Sequence, residues 1–567
     1  MNLRVLAFAL PVLALHCSDE SLQADASVES ESESESESES ESESESESEV
    51  ETESESESES ETESETESES ETELPSPSPV PSLAARGFHE LRAIVHLHSA
   101  FSHDACDDAG LAPDGTPNWD CIHRMKRALC AEHIAIAFMT DHPAHMREQP
   151  FGVLLYAEPP ADDEILTNDA GDPIAVRIAC DAGEGGPAGT PLAGKVTLLV
   201  GAEGTHTMPI GLERHLDPPE RYGVALEDTT PAADIDAMIA AVRAAGGFVA
   251  IAHSEERELS AATIIAHDLA AMELYNFHAN FVNVLGTNVA AALGDLDPFA
   301  DPTAAVPAPD LAALAMLASY PEPALDKWRA VSAARAITAF AGSDVHENGT
   351  LPALCANPDV CEGLVADYPN MVRALQTGGP LMLGDGERID SYARVFRWVQ
   401  NRLWVSFDAP GADTARGAID ALESAFQAGR NVVVFEVLGD APGVALVARD
   451  RQGTVIDMGQ TVHVADGATL YATLPSAPIP GRTATWSDGR AAAMEATVWR
   501  TDLTGTTAIA TSRTPGATLA VPLSAAGSYH LEVTLVPHHL TTALGPAAAL
   551  AERTYRWVET NAIRVAP

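Results

Sequence analysis

The amino-acid sequence predicts an α/β domain in the middle of the chain, followed by a β-rich domain of immunoglobulin-like kind. Between about Phe88 and about Arg388, short β-like segments alternate with helix-like ones, which is typical of α/β proteins. From about Ser391 onward, β-like runs of alternating pattern are separated by short turns, as in an antiparallel sandwich. We therefore expect four parts, which are a leader at 1–17, a stalk at 18–82, an α/β domain at 83–390 and a β-rich domain at 391–567.

The chain begins like an export signal. Arg4 is followed by an apolar stretch, 5–15, that is too short to span a membrane, and Cys17 follows in a polar context. Cys17 resembles the acylated cysteine of bacterial lipoproteins, although His16 stands where that motif has Gly, Ala or Ser. We expect a lipoprotein at the outer membrane or cell surface of a bacterium, in contact with the membrane only through its lipid. Simple secretion is one alternative, and a cytosolic protein with an apolar N-terminus is the other.

The charge balance is strongly acidic. The 567 residues carry 85 acidic and 32 basic side chains, and much of the excess lies at 29–73, where every odd position is Glu. That segment has too little apolar surface to offset its chain entropy, and its charges repel one another. We expect a disordered, extended stalk, with a calcium-binding or phosphoacceptor tail as the alternative. The net charge of -53 argues against a nucleic-acid partner, because holding a phosphodiester backbone needs clustered Lys and Arg.

Six cysteines remain when Cys17 is set aside, and these are Cys106, Cys121, Cys130, Cys180, Cys355 and Cys361. An even number in an exported protein suits three disulfides. The second and third lie too far apart in one predicted helix, 118–133, to bridge each other, so they need outside partners, and the first and fourth are nearest. The last two are spaced for a loop disulfide. A structural zinc site is the weaker alternative, because the sequence has no CxxC pair.

Polar residues follow most of the predicted strands of the α/β part. The strand candidates are 91–97, 134–140, 195–202, 247–252, 270–275 and 336–342, and a helix is expected at 231–245. Five of these strands end in HLHSAFSHD, TDH, GAEGTH, AHSEER and GSDVHE. Because the C-terminal ends of the strands in a barrel of βα units meet on one face, we expect these side chains to share one pocket.

Histidines dominate these strand ends. Fourteen of the 19 histidines lie between His89 and His346, a skew that core packing does not require. His96 and His98 are two positions apart on one strand, so both can reach the same metal ion. A single buried histidine is more often a hydrogen-bonded core residue than a ligand. Five such strand ends together favour a metal site.

As a set, these motifs resemble those of the PHP (polymerase and histidinol phosphatase) superfamily. The resemblance covers about 88–385 and rests on HLHSAFSHD from His96, TDH from Thr140, GAEGTH from Gly201, IAH from Ile251, MELYN from Met272 and GSDVH from Gly342. It implies a distorted (β/α)7 barrel that binds two or three divalent metal ions, Zn, Mn or Fe, and hydrolyses phosphoesters. The chain also resembles the secreted, carbaryl-hydrolase-like PHP group. Some members of that group cleave carbamates or other non-phosphate esters and amides.

The resemblance also implies roles for single residues. One ion would be held by His96, His98, Glu203 and Asp344, a second by Glu203, His206 and His253, and a third by His142, His346 and either His103 or Asp104. Asp104 is the first choice of that pair, and His215 is a rival of His206. Asp141 would orient His142 or a neighbour, and Arg257 would either meet an anionic substrate or be a surface charge.

Three functions follow from this site. Bound ions lower the pKa of water and supply hydroxide near neutral pH, with Glu203, Asp344 and His346 at the reaction centre. The leading interpretation is an exported PHP-type phosphoesterase with a small-molecule or other phosphoester substrate. The alternatives are a metallohydrolase of non-phosphate ester, amide or carbamate bonds, and a non-catalytic cell-surface binding protein with a vestigial barrel. The sequence indicates no protein partner, and the C-terminal domain is expected to cover one side of the barrel or to bind carbohydrate or a surface.

Overall fold

The structure is a computed structural model, and the residues it describes are 81–156, 162–303, 306–317, 320–351, 366–371, 376, 378–476, 478 and 489–567. The predicted leader with Cys17, nearly all of the predicted stalk, and both Cys355 and Cys361 lie outside these residues. Within the described ranges, no helix has the length and apolar character needed to cross a membrane.

The α/β part alternates strands and helices, as the sequence predicts. Its strands are β1 (His89–Leu97), β2 (Ile134–Met139), β3 (Glu164–Thr167), β4 (Pro173–Ala179), β5 (Lys195–Leu199), β6 (Met208–Ile210), β7 (Phe248–Ile251), β8 (Ala271–Asn276) and β9 (Thr338–Val345). Its helices are α1 (Ala105–Asp108), α2 (Trp119–Ala131), α3 (Pro143–Met146), α4 (Ala232–Ala244), α5 (Ala261–Ala266), α6 (Phe277–Leu296), α7 (Ala313–Leu317) and α8 (Glu322–Ala334). All six predicted strands and both predicted helices are confirmed. The hairpin β3–β4 and the short β6 were not predicted.

These strands belong to a sheet that closes into a barrel and that also takes in strands from the C-terminal part. β1 pairs in parallel with β2 and with β9, and parallel pairing continues from β2 to β5 and from β7 through β8 to β9. β6 runs antiparallel to β7, and a bridge between Val200 and Leu212 joins it to β5. The chain is therefore a mixed α/β protein with a barrel-like, mostly parallel sheet.

The C-terminal part is rich in strands. Its elements are β10 (Thr350–Leu351), β11 (Gly379–Pro380), α9 (Tyr392–Trp398), β12 (Gln400–Val405), α10 (Ala415–Gln427), β13 (Asn431–Val434), β14 (Ala445–Arg449), β15 (Val455–Asp457), β16 (Thr461–His463), β17 (Thr469–Thr473), β18 (Ala493–Asp502), β19 (Gly505–Ser512), β20 (Thr518–Pro522), β21 (Gly527–Val536), α11 (Thr541–Leu544), β22 (Tyr555–Thr560) and β23 (Ile563–Ala566). β14, β15, β17 and β20 form a separate four-stranded sheet. The immunoglobulin-like sandwich and the domain boundary at 390 stay predictions.

The C-terminal strands also extend the sheet of the barrel. β12 runs antiparallel to the first half of β1, β13 pairs with β12, and β22 pairs with β13. Helix α10 packs its apolar face, including Phe426, against the inner cluster of barrel side chains. The Phe426 ring lies 5.4 Å from Phe138 and 5.7 Å from Phe340, centroid to centroid. Residues beyond 390 therefore complete the packing of the barrel.

Two disulfides join the cysteines of α2 to their surroundings. Cys121 bonds to Cys106, and Cys130 bonds to Cys180 at the end of β4. Each cysteine of the helix thus has one of the two partners that were nearest in sequence. Asn118 caps the same helix by accepting a hydrogen bond from the Cys121 backbone N–H.

Candidate metal centre

Four buried side chains from the C-terminal ends of three barrel strands converge on one point. Nε2 of His96 and Nε2 of His98 each lie 3.0 Å from Oε2 of Glu203. The same two nitrogens each lie 3.2 Å from Oδ1 of Asp344. The structure thus brings together the residues that were expected to hold the first ion, and their candidate ligand atoms all lie within 4.8 Å of one another.

These converging atoms are unsatisfied. None of the four makes a well-formed hydrogen bond with any described residue, although all are buried. A buried polar atom without a partner costs about 1–3 kcal/mol, so the arrangement needs another group to stabilise it. Two imidazole nitrogens and two carboxylate oxygens are ligands that Zn, Mn and Fe accept. The residues therefore fit a divalent cation.

Unusual backbone conformations aim these side chains. His96, His253 and Asp344 have φ values of 61°, 48° and 48°, in the left-handed region that residues other than glycine seldom adopt. The pairing register of β1 also shifts between Val95 and Leu97, which marks a bulge at His96. The side chains of His96 and His98 point to the same side of the sheet, as expected. A bulge sets the direction of His96, and His98 lies just after the end of β1.

A second cluster adjoins the first. Oδ2 of Asp104 lies 3.6 Å from Nε2 of His142 and 3.3 Å from Nε2 of His346. The rings of His98 and His346 stack at 3.8 Å, so the two clusters share a wall. His103 is half-exposed outside this cluster, with its ring centroid 5.0 Å from that of His142. Of the two neighbouring candidates, Asp104 is the one that faces the histidines.

The structure separates the two histidines expected at the second ion. Nε2 of His253 lies 2.9 Å from Oε1 of Glu203. In contrast, Nε2 of His206 lies 2.8 Å from Oε2 of Glu256, and its Nδ1 lies 3.2 Å from the Leu226 carbonyl. Both ring nitrogens of His206 are therefore engaged away from Glu203. Its rival, His215, places Nε2 at 2.7 Å from the carbonyl of residue 149.

Asp141 and Arg257 are the two residues that were expected to act beside the metal ligands. Asp141 accepts hydrogen bonds from the backbone N–H of Ser99 at 2.6 Å and from its hydroxyl at 2.7 Å. This contact fixes the chain immediately after His98 rather than the ring of His142. Arg257 is exposed on the surface.

Sequence reasoning missed several side chains that contact the candidate ligands and orient them. Nδ1 of His98 lies 3.1 Å from the Ser102 hydroxyl. Asn276 donates from Nδ2 to Oδ2 of Asp344 at 3.1 Å. Glu273 contacts His96 and is described below. Both Glu273 and Asn276 belong to the MELYN motif, whose position after a strand was the available signal.

Electrostatics favour ionised carboxylates at this site. Burial works to raise the pKa of Glu203 and of Asp344, but the neighbouring imidazoles, His96 foremost, hold both pKa values well below their usual range. Burial and the nearby His98 lower the pKa of His346 to about 3, so that ring is neutral. Cation binding requires deprotonated carboxylates and neutral imidazoles.

His142 behaves differently. Burial works to lower its pKa, but the nearby Asp104 carboxylate and the charge of Glu203 outweigh burial and raise the pKa to about 9. The acidic surroundings of this ring therefore attract positive charge, whether a proton or a metal ion.

Comparisons with known proteins add little to this geometry. No family model matches the chain, and no curated protein gives a significant match. One similar solved structure is a two-domain protein containing a predicted PHP-like metal-dependent phosphoesterase from Bacteroides vulgatus ATCC 8482. It is 11% identical with a TM-score of 0.26, and the match covers 85% of this chain and 97% of that one. At that TM-score the likeness carries no argument, so the candidate site rests on its own residues.

Proposed function

We propose that the protein is an exported, metal-dependent hydrolase of PHP type whose substrates are phosphoesters. The observation that carries this proposal is the convergence of unsatisfied, buried atoms from His96, His98, Glu203 and Asp344. In this proposal the barrel is the distorted (β/α)7 fold, the C-terminal part is a sandwich, and Cys17 anchors the chain through a lipid. Divalent cations in such a site acidify water and stabilise negative charge on a substrate oxygen.

The ligand residues of the chain form several neighbouring metal-binding positions in this proposal. Oε2 of Glu203 faces His96 and His98, while its Oε1 faces His253, so this carboxylate could contribute to two metal-binding positions. Asp104, with His142 and His346, provides a third position. Asp141 holds the chain after His98 in place through Ser99. This arrangement needs no serine or cysteine nucleophile.

The second candidate function is hydrolysis of a carboxylic ester, amide or carbamate. A small pocket reaches Asp344 and His346, and most of its other lining residues are apolar. Those apolar side chains are Phe277, Phe281, Met316, Val345, Ile389 and Val395. Among the described residues the lining contains no Lys or Arg. A lining without a cationic side chain offers a phosphate group little attraction, which favours an uncharged ester, amide or carbamate as the alternative substrate.

The test combines metal content with activity. The full chain, His98→Ala and the matched control His463→Ala, an exposed histidine far along the chain, are loaded with Zn or Mn and measured by elemental analysis. Each is assayed with an aryl phosphomonoester, an aryl phosphodiester and an aryl carboxylic ester. We expect two or three ions in wild type and in the control, and hydrolysis that a chelator and His98→Ala abolish. A folded chain that binds no metal and stays inert after reconstitution would overturn the proposal and favour a binding protein.

The preferred substrate separates the two hydrolase functions. Faster cleavage of a phosphate ester by wild type would support the first proposal, whereas activity restricted to the carboxylic ester would support the second.

A further inference from the structure

We infer that Glu273 is a positioning residue that orients two metal-binding histidines, His96 and His253, at the same time. The inference rests on the proposed function, because it concerns how that metal site is held in shape. Glu273 lies on β8 and is fully buried. Its two carboxylate oxygens face different partners, and each partner carries one of the histidines.

The first carboxylate oxygen of Glu273 fixes the tautomer and the orientation of the His96 ring. Oε1 of Glu273 lies 2.9 Å from Nδ1 of His96. In its ionised form this carboxylate only accepts hydrogen bonds, which places the proton of a neutral His96 ring on Nδ1. The lone pair is then on Nε2, which faces Glu203 at 3.0 Å and Asp344 at 3.2 Å. A carboxylate behind a metal-binding imidazole fixes both the tautomer and the direction of the ring.

The second oxygen holds the backbone of His253. Oε2 of Glu273 accepts the backbone N–H of His253 at 2.8 Å and a hydrogen from Asn276 Nδ2 at 3.2 Å. His253 has a φ of 48°, a conformation that surrounding contacts must maintain. The hydroxyl of Ser254 also donates to the Glu273 carbonyl. The strained residue is thus tied to the same side chain that orients His96.

Gly342 on β9 leaves the space that this carboxylate occupies. A Cβ added at Gly342 would lie 1.6 Å from Oε1 of Glu273 and 3.1 Å from Cβ of His96. Gly342 is not among the glycines with positive φ, so its conformation does not require glycine. Glycine at this position therefore provides room for the Glu273–His96 pair.

Two substitutions test this role by different routes. Glu273→Gln keeps the size of the side chain, but its amide has one acceptor oxygen and cannot accept from both His96 and His253. Gly342→Ala keeps the carboxylate and displaces it. Gly223→Ala is the matched control for the second, because an added Cβ there meets nothing within 4 Å. Glu148→Gln, at an exposed carboxylate, is the control for the first.

The measurement is Zn²⁺ affinity by competition with a chromophoric chelator, together with elemental analysis after dialysis. We expect both test variants to bind Zn²⁺ about 10–100-fold more weakly at the positions that use His96 and His253. The position formed by Asp104, His142 and His346 should keep its affinity, which a general loss of stability would not allow. Both controls should match wild type.

The outcomes separate this inference from the proposed function. Wild-type binding with unchanged affinity in both variants would overturn the role of Glu273, as would equal weakening at every position. A wild-type chain that binds no Zn²⁺ would overturn the metal site itself. If Glu273→Gln does not fold, Gly342→Ala decides, because it retains the carboxylate.

Discussion

Backbone strain is concentrated at single residues of the candidate metal centre. His96, His253 and Asp344 all adopt left-handed φ values, and each such residue costs about 1–3 kcal/mol. Strain of this size persists only where surrounding contacts maintain it. Here Glu273 holds the first two residues, and Asn276 holds the third. Contacts within the site, rather than regular strand geometry, therefore determine the direction of these three side chains.

The two histidines expected at the second ion should behave differently. His253→Ala should remove a bound metal ion, because its Nε2 lies 2.9 Å from Glu203. His206→Ala should leave the metal content unchanged, since both ring nitrogens of His206 contact other groups. Elemental analysis of the two folded variants after dialysis checks this. Equal metal loss in both would show that His206 is a ligand in the loaded protein.

At the scale of elements, α10 connects the C-terminal part to the interior of the barrel. Thr414 caps it by accepting the Gly417 backbone N–H, and its apolar face, with Leu422 and Phe426, is buried. The same helix carries Glu423, whose carboxylate lies where a Cβ on Gly211 would be only 2.4 Å away. A carboxylate packed this closely against the barrel is poorly solvated.

Glu423 should make the stability of the fold depend on pH. Burial raises its pKa from 4.5 to about 8; Arg416 opposes the shift, and nearby carboxylates reinforce it. The folded-state pKa exceeds the unfolded one, so the unfolded chain releases its proton first as pH rises. The stability that the protonated group contributes is complete below about pH 4.5 and is lost as the pH rises to about 8.

We therefore expect Glu423→Gln to stabilise the fold relative to wild type by about 1–2 kcal/mol at pH 9 and to change little at pH 4. Urea unfolding of wild type and variant at both pH values measures the difference. Glu148→Gln, at an exposed site, is the control and should show no such pH dependence. A Glu423→Gln effect that is the same at both pH values would show that the carboxylate has the same pKa in the folded and unfolded states.

Across the whole molecule, three buried asparagines join the C-terminal strands to the barrel. Asn401 accepts from the Ala341 backbone N–H at 3.0 Å and donates to its carbonyl at 2.8 Å. Asn561 accepts from the Ala339 N–H, and Asn431 donates to the Ala339 carbonyl. These side chains form hydrogen bonds with the backbone groups of β9 that do not pair with β1. The edge of the barrel is thus completed by residues far along the chain.

Asn401→Leu should destabilise the entire chain. The leucine would leave the buried N–H and carbonyl of Ala341 unpaired, at a cost of about 2–4 kcal/mol. Urea unfolding followed by circular dichroism measures this change, and Gln452→Leu, at an exposed amide, is the control. A loss below about 0.5 kcal/mol would mean that another group or water satisfies β9.

The sequence alone predicted the order of the central elements and the candidate ligands. Strand and helix patterns are local, so β1, β2, β5, β7, β8 and β9 were found with end shifts of a few residues. The motif residues at their ends were also recognisable, because parallel strands bring their C-terminal ends together. The hairpin β3–β4 was missed, although its sequence carries a local signal, an Asn-Asp-Ala-Gly-Asp turn between two apolar runs.

Tertiary structure decided which candidates meet. Whether Asp104 or His103 faces His346, and whether His253 or His206 faces Glu203, depends on distances between residues far apart in sequence. The pairing of His96 with Glu273 spans 177 positions, and that of Ala339 with Asn561 spans 222. A sequence motif specifies residue types at a strand end, whereas bulges, left-handed residues and contacts from distant strands set the direction of each side chain.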